Sequence, residues 1–222
     1  MRGAAPAVKN DRSLYAGPVP RVPESHLAAR RDQILDAATA RFAANGFQAT
    51  GMADVIAASG LSAGAVYRYF RSKDELIAAI VERVLGEAAG RFELLLQDDA
   101  APDPAVAVAT AVRLVADVAT RGPVDLTRVA VQAWGEALRN PAVHAVVDRA
   151  YRTMRGFFVE IARRGQAAGR LPADADPLHL GAVLFSSVIG FLLQRLLLGD
   201  VDPAGYADAL RATWGGVPAA GA

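Results

Sequence analysis

The chain has 222 residues, of which 53% are hydrophobic and 21% charged, and its formal net charge at pH 7 is +1. It contains no cysteine, which excludes disulfides and thiolate metal sites and is typical of a protein that works in a reducing cytoplasm. Abundant alanine, with few clusters of Val, Ile, Thr and Tyr, favours an all-α fold.

The small net charge conceals an uneven distribution along the chain. Residues 1–73 carry 10 Lys/Arg and 5 Asp/Glu, whereas residues 74–222 carry 14 Lys/Arg and 18 Asp/Glu. A positive N-terminal part suits a surface that binds phosphate groups. Chance variation in surface charge would give the same pattern without any function.

The first residues show neither helical periodicity nor a signal sequence. Residues 1–25 are rich in Pro and Gly, so we expect a disordered tail whose basic side chains either contact DNA or have no role. No apolar signal-peptide region is visible. The most membrane-like segment, residues 180–193, is shorter than the roughly 20 apolar residues that a membrane span needs.

Helical periodicity predicts a first helix over residues 27–45. Ile34 and Phe42 fall on one face of this helix, and Gly46 provides its C-cap. Thr50 is then predicted to be the N-cap of a second helix. Its hydroxyl and the helix N-terminus could together hold a phosphate group.

Residues 50–76 predict a helix-turn-helix. Gly60 is the residue in this stretch that best accepts the left-handed backbone of a tight turn. Ser62 is an N-cap, so a short third helix should run from Ala63 to about Tyr69. A second helix of this length is suited to entering the major groove of DNA.

The third helix has an apolar face and a polar face. Val66 and Phe70 are four residues apart and should face the core. Tyr67 and Tyr69 carry hydroxyls that can reach phosphates, although either ring could pack in the core instead. Arg68 can recognise guanine with two hydrogen bonds or merely contact a phosphate.

A capping box formed by Ser72 and Glu75 predicts a fourth helix that continues to about residue 96. Lys73 lies in its first turn, where the helix dipole disfavours a cation. This position indicates an external anion such as DNA phosphate; the alternative is an ordinary exposed lysine.

Five further helices are predicted, several of them opened by an acidic or amide side chain followed by proline. The helix at 177–199 is apolar on nearly all sides, so most of its surface must be covered. The predicted ranges are 104–120, 123–139, 141–168, 177–199 and 203–214.

The runs GFQAT and DVIAASGLSAGAVYRYFRSKDEL resemble the DNA-binding domain of the TetR family of bacterial transcriptional regulators, over about residues 27–77. Two positions depart from the family pattern: Ala63 stands where Lys or Arg is frequent, and Gly51 where Ser or Thr is frequent. Residues 132–202 resemble the family's C-terminal domains more loosely. The residues that carry the first match are Gly60, Ser62, Gly64, Tyr67, Tyr69, Phe70 and Lys73.

The resemblance implies a nine-helix all-α architecture in four parts. These are a disordered tail over 1–25, a helix-turn-helix domain over 26–76, a ligand-binding and dimerisation domain over 77–214, and a flexible tail over 215–222. Together with the reasoning above, it makes these residues the DNA-binding candidates: Thr50, Ser62, Ala63, Ala65, Tyr67, Arg68, Tyr69 and Lys73.

The same resemblance implies an effector pocket among helices 4 to 7 and a dimer interface on helices 8 and 9. Because the candidate lining is largely apolar, we expect a hydrophobic or aromatic effector. The pocket candidates are Phe92, Arg128, Gln132, Trp134, Tyr151, Arg155 and Phe158, with His144 and Phe157 as further possibilities. The interface candidates are Leu184, Val188, Phe191, Leu192, Arg195, Leu196, Tyr206 and Leu210.

The sequence therefore predicts a cytoplasmic homodimer that binds a palindromic DNA operator as a repressor, releases it on binding a small effector, and needs no cofactor. A ligand-independent regulator or an activator shares every DNA-binding feature and stays open. A dimeric structural protein without DNA binding is less compatible with the basic N-terminal part. An enzyme is disfavoured because no metal-spaced histidine pair and no phosphate-binding glycine loop is found.

Overall fold

In the computed structural model, the described residues 24–97 and 103–214 form nine α-helices and no strand, which confirms the predicted all-α class. The predicted tails lie outside the described residues, except for residues 24–25, which belong to α1. The helices are α1 (Glu24–Ala49), α2 (Met52–Ser59), α3 (Ala63–Tyr69), α4 (Lys73–Gln97), α5 (Pro104–Thr120), α6 (Leu126–Ala137), α7 (Pro141–Ala167), α8 (Pro177–Leu197) and α9 (Pro203–Trp214).

The turn between α2 and α3 forms as its residues predict. Gly60 has a left-handed backbone (φ 68°, ψ 13°) and ends α2. The Ser62 hydroxyl accepts a hydrogen bond from the Ala65 amide at 3.3 Å and so caps α3. At the predicted end of the first helix, Gly46 interrupts α1 with φ 83° and ψ 161°.

The predicted role of Thr50 as the N-cap of α2 is wrong. The N-cap is Gly51, whose amide donates to the Asp54 carboxylate at 2.8 Å. The Thr50 side chain is buried, and its hydroxyl donates to the Arg41 carbonyl at 3.3 Å. A threonine hydroxyl has one hydrogen to donate. The hydroxyl is therefore not free to donate to a phosphate in this conformation.

The start of α4 agrees with its predicted capping box, with one shift. The Ser72 hydroxyl accepts from the Glu75 amide at 3.2 Å. The Glu75 carboxylate accepts from the Arg71 amide at 2.7 Å, one residue before the cap. Two amides at the helix start are thereby satisfied, which fixes the connection from α3.

Proline-based start signals locate α5, α7, α8 and α9 to the residue, but α6 begins later than predicted. Asp125 caps it by accepting from the Thr127 amide at 3.0 Å, so the helix starts at Leu126 instead of residue 123. The acidic cap outweighs the earlier Gly122-Pro123 pair as a start signal.

Two hydrophobic clusters hold the helices together. The N-terminal core joins α1–α3 to α4, α6 and α7, and the C-terminal core joins α5, α7, α8 and α9. The N-terminal core includes Ile34, Leu35, Phe42, Val55, Val66, Phe70, Leu76, Ile77, Ile80, Val129, Ala133 and Val143. The C-terminal core includes Val108, Val112, Met154, Phe158, Ile161, Leu184, Val188, Phe191 and Leu210. The N-terminal core is continuous across residues 76 and 77, where we place the domain boundary from sequence.

Helix α8 is long and apolar enough to cross a membrane, with 21 residues and a mean hydropathy of 1.8. This is weak evidence, because a core helix of a globular protein has the same length and composition. Here α8 packs against α5, α6 and α7, and 28% of its apolar window is buried inside the chain.

Candidate functional sites: a helix-turn-helix surface and an apolar cavity

Helix α3 presents a small-residue surface at its start and a basic residue beyond it. Ala63 and Gly64 are exposed, as is Ser62, whose hydroxyl also caps the helix. Tyr67 keeps 46% of its surface exposed. Arg68 is exposed and has no carboxylate within ion-pair distance among the residues that the structure describes. Ala65 is half-buried on the same short helix. An unpaired guanidinium beside small side chains is suited to close approach to a nucleic acid.

Two other candidates have contacts inside the protein. Tyr69 is half-buried and packs against the N-terminal core, so its ring has a structural role as well as its predicted DNA contact. The Lys73 ammonium donates to the Phe47 carbonyl at 2.9 Å and so ties the start of α4 to the end of α1. Its position in the first turn of α4 therefore has an internal explanation. The predicted phosphate contact of Lys73 stays a prediction.

A cavity of about 140 Å³ lies between α4, α5, α6, α7 and α8. Its wall is almost entirely aliphatic and aromatic, and its polar side chains are those of Thr127, Trp134 and Tyr151. The lining residues are Ile80, Val81, Val84, Leu85, Ala111, Leu114, Val115, Val118, Leu126, Thr127, Val129, Ala130, Ala133, Trp134, Val147, Tyr151, Met154, Phe158, Phe185, Val188, Ile189 and Leu192.

Four aromatic rings form one side of this cavity. Trp134 and Tyr151 meet edge to face, with ring centroids 5.9 Å apart and planes at 89°. Tyr151 in turn meets Phe185 at 5.4 Å and 62°, and Phe185 stacks on Phe158 at 5.6 Å and 26°. Burial raises the pKa of the Tyr151 phenol, and a hydrogen bond with the Trp134 side chain only partly opposes this. Tyr151 is therefore neutral at physiological pH.

An ion pair lies behind Thr127, outside the cavity lining. The Arg195 guanidinium contacts the Asp125 carboxylate at 2.6 Å and also donates to the Thr127 hydroxyl, which itself donates to Asp125. Burial raises the pKa of Asp125, but hydrogen bonds from Thr127 and Arg195 outweigh it and hold the pKa below its usual value. The pair thus joins the end of α8 to the start of α6.

This ion pair predicts a pH-dependent stability. Because the folded-state pKa of Asp125 is lowered, its contribution is present above the unfolded value of about 3.9 and is lost as pH falls through the folded value. We expect Asp125→Asn to lower the free energy of unfolding by about 1–3 kcal/mol at pH 7. That difference should shrink below about pH 4. Urea unfolding from pH 7 to pH 3 measures it, with the exposed Asp174→Asn as control; a difference that stays constant over this range contradicts the assignment.

The structure brings together Trp134, Tyr151 and Phe158 of the predicted pocket residues, whereas the predicted polar anchors do not line the cavity. Arg128 and His144 are exposed. Gln132 and Arg155 are half-buried but do not line the cavity, and neither does Phe157. The Gln132 amide oxygen is buried near Gly46, where α6 meets α1, and has no hydrogen-bond partner among the described residues. The side chain of Phe92 lies outside the described part of the structure.

Most of the remaining wall was missed, although helical periodicity could have identified it. Residues that lie three or four positions before or after an aromatic anchor are on the same helix face as the anchor. From Trp134 this leads to Ala130 and Thr127, and from Phe185 to Val188 and Ile189. The predictions chose charged side chains that are near the aromatic anchors in sequence, instead of the residues that share a helix face with the anchors.

The predicted dimer-interface set requires a correction. Leu184, Val188, Phe191, Leu192 and Leu210 are all buried inside the protomer and have almost no surface left for a partner, so their assignment to the interface is wrong. The remaining three have contacts within the chain: Arg195 pairs with Asp125, the Tyr206 hydroxyl donates to the Ser187 carbonyl, and Leu196 is half-buried.

The arrangement of a capped helix-turn-helix above a helical body with an internal apolar cavity defines a class, that of helical DNA-binding regulators. Known families agree. Residues 34–80 match the family described as bacterial regulatory proteins, tetR family, and residues 107–214 match the BetI-type transcriptional repressor C-terminal family. The chain belongs to the TetR family of transcriptional regulators.

Similar proteins support this assignment along most of the chain. The transcriptional repressor Rv1474c of Mycobacterium tuberculosis is 32% identical over 198 residues, which cover 86% of this chain and 95% of the relative. The transcriptional regulator UidR of Escherichia coli is 26% identical over 189 residues, covering 84% and 92%. These relatives are transcriptional regulators and not enzymes.

Solved structures share the fold. A SmeT–triclosan complex superposes with a TM-score of 0.66 at 26% identity and covers 83% of this chain and 91% of that one. A regulator from Saccharomonospora viridis in complex with choline has a TM-score of 0.68 at 22% identity, covering 83% and 95%. Proteins of this fold therefore include some that bind small molecules of different chemistry.

Proposed function

We propose that this protein is a cytoplasmic, homodimeric repressor that releases a palindromic DNA operator when a small molecule enters the apolar cavity. The observation that carries the proposal is that the cavity and the helix-turn-helix unit share core residues. Ile80 and Val81 of α4, with Val129 and Ala133 of α6, line the cavity and also belong to the N-terminal core. A ligand that displaces the cavity wall would therefore also displace core residues that support α1.

DNA binding is supported by the surface of α3. Ala63 and Gly64 add no bulk at its N-terminal end, which is the end of a recognition helix that contacts bases. Arg68 is exposed and unpaired within the described structure, so its donors are available to guanine or phosphate. The net positive charge of residues 1–73 attracts DNA over a longer range.

The exposed face of α8 supports dimerisation in place of the buried residues. Val183 is 57% exposed and Leu197 78% exposed, and Ser186 and Gly190 lie between them on the same helix face. Apolar and small side chains in one stripe let two helices approach closely. A symmetric pair of α8 helices would bury this stripe and place two α3 helices on one duplex.

Hydrogen bonds that join α6 and the turn after it to α1 and α4 support a route from the cavity to DNA. The Gln48 amide donates to the Glu136 carboxylate of α6 at 2.6 Å. The Asn140 amide, just after α6, donates to the Asp74 carboxylate of α4 at 3.0 Å. A ligand that displaces α6 would move both contacts, and so change the spacing of the two α3 helices in a dimer.

Sequencing the genomic DNA fragments that the purified protein retains is the direct test. We expect fragments that share an inverted repeat, bound with an affinity that falls steeply with salt. Adding cell extract should lower the affinity for the recovered operator if an effector releases it. Recovery of fragments without any common sequence would contradict binding to a specific operator. If extract does not change the affinity, the protein is a ligand-independent regulator.

Within α3 and α4, two basic residues should act differently. We expect Arg68→Ala to lower affinity for the operator and reduce its preference over unrelated DNA by about 1–3 kcal/mol. Lys73→Ala should weaken binding to all DNA sequences about equally and reduce the slope of log affinity against log salt by about 1. Fluorescence anisotropy on matched duplexes measures both effects. A uniform loss for both variants would mean that Arg68 contacts phosphate and not a base.

A further inference from the structure

We propose that the cavity binds an uncharged molecule of about one aromatic ring, which accepts a hydrogen bond from the Tyr151 hydroxyl. The proposal names the chemical class of the effector and in that respect rests on the proposed function. The binding itself can be measured without DNA, so the two can fail separately.

The first support is that no residue in the described part of the cavity lining carries a formal charge. Thr127, Trp134 and Tyr151 are the polar side chains among its lining residues, and none of them is ionised at neutral pH. An anion or a cation entering the cavity would lose its hydration without meeting an opposite charge, which is strongly unfavourable. Asp125 and Arg195, which both contact Thr127, form an ion pair with each other and do not line the cavity.

The second support is that one hydrogen-bond donor is left for a ligand. The Thr127 hydroxyl donates to Asp125 and accepts from Arg195, so it is already satisfied. The Trp134 indole meets Tyr151 edge to face and can only donate, so it offers no acceptor to the Tyr151 hydroxyl. No residue that the structure describes accepts a hydrogen bond from the Tyr151 hydroxyl, so its hydrogen remains for a carbonyl, ether or hydroxyl oxygen of the ligand.

The aromatic rings also argue against a quaternary ammonium ligand. Such a cation needs several ring faces directed at one point. Here the edge-to-face pairs Trp134–Tyr151 and Tyr151–Phe185 and the stack of Phe185 on Phe158 use the rings against one another. A flat neutral molecule can instead pack on the aliphatic side chains of the lining.

The third support is size. The cavity measures about 140 Å³. A dry protein cavity of about 150 Å³ lined by aliphatic and aromatic side chains holds one benzene molecule. The present cavity therefore accommodates a single substituted ring before its walls have to move.

Isothermal titration of the full-length protein with four ring compounds of similar size tests the proposal. Acetophenone is neutral with one acceptor, ethylbenzene is neutral without one, benzoate is an anion and benzyltrimethylammonium is a cation. We expect acetophenone to bind most tightly, ethylbenzene about 3- to 10-fold more weakly, and both ions at least about 100-fold more weakly.

The variant Tyr151→Phe keeps the ring and removes the donor. We expect it to weaken the binding of acetophenone about 3- to 10-fold and to leave the affinity for ethylbenzene unchanged. Tyr206→Phe removes a hydroxyl that bonds Ser187 outside the cavity and should change neither affinity. The comparison of acetophenone with ethylbenzene on the unmodified protein tests the donor even if a variant fails to fold.

Several results would overturn the proposal. These are an ion that binds as tightly as acetophenone, equal affinities for acetophenone and ethylbenzene, or no binding of any neutral ring compound. None of them bears on DNA binding, which the sequenced fragments decide. Conversely, if the protein binds acetophenone but retains no DNA, the proposed function is contradicted and the proposed ligand class still stands.

Discussion

Replacing Gly181 with alanine should destabilise the fold by about 2–3 kcal/mol, although alanine is the better helix former by about 1 kcal/mol. Gly181 is buried where α8 crosses α7. A Cβ atom at this position would lie 2.6 Å from Val159 Cγ2 and 2.7 Å from both the Val159 amide nitrogen and its Cα. Two of these three atoms belong to the backbone, so a change of rotamer cannot relieve the overlap.

The helices would have to separate to accept the methyl group. Such a shift would open the packing of α8 on α7 within the C-terminal core. A change of this size corresponds to a fall in melting temperature of about 4–12 °C for a chain of this length. Thermal denaturation at a fixed protein concentration measures it, because the proposed dimerisation would make the transition concentration-dependent.

Gly156→Ala provides the matched control on the neighbouring helix. Gly156 is exposed in α7, and a Cβ atom there would meet nothing within 4 Å. Its substitution should therefore be neutral or stabilise the protein by up to about 1 kcal/mol. Val159→Ala in the Gly181→Ala background should restore only part of the loss, because it removes Cγ2 and leaves the two backbone atoms. Equal melting temperatures for Gly181→Ala and the unchanged protein would contradict the close crossing.

Local signals predicted where helices begin and end, whereas the partner of each helix face depends on tertiary packing. The starts of α5 and α7 are set by adjacent cap and proline residues, which act within one turn and can be identified in sequence. Helix α8 shows the limit. Its apolar pattern indicates that most sides are covered, but periodicity does not distinguish a neighbour in the same chain from a second protomer. Phe191, predicted at the interface, is buried in the C-terminal core.

The helix-turn-helix could be predicted because it depends on local sequence. The cavity could not be predicted because it depends on tertiary packing. Gly60 and Ser62 determine their own local geometry, and the third helix follows from them. The cavity wall is assembled from five helices, so it depends on their rotation about their axes. A polar residue such as Gln132 lies two positions from Trp134, and this separation places it on another face, towards α1.

At the DNA-binding surface, we expect Ala63→Glu to weaken operator binding at least 100-fold, roughly 3 kcal/mol. Ala63 is the exposed first residue of α3, directly after the Ser62 cap. A carboxylate there would face the phosphates on either side of the major groove if α3 enters it, and like charges at such a contact repel by several kcal/mol. Fluorescence anisotropy with the recovered operator measures the loss.

Ala63→Gln and Ala63→Lys complete the series. Glutamine has nearly the shape of glutamate without its charge, so its smaller loss reports bulk alone. Lysine should strengthen binding and steepen the slope of log affinity against log salt by about 0.9, as one added phosphate contact does. If the Glu and Gln variants bind alike, the N-terminal end of α3 does not lie against DNA.

The stability of the same three variants should follow the opposite order. The N-terminal end of a helix carries a partial positive charge, so glutamate at its first position stabilises and lysine destabilises, each by a few tenths of a kcal/mol. Stability should therefore rank Glu above Gln above Lys, while operator affinity ranks Lys above Gln above Glu. A variant that merely damaged the fold would lower both quantities together. Opposite rankings can arise only if the charge at residue 63 acts on the helix in the free protein and on DNA phosphates in the complex.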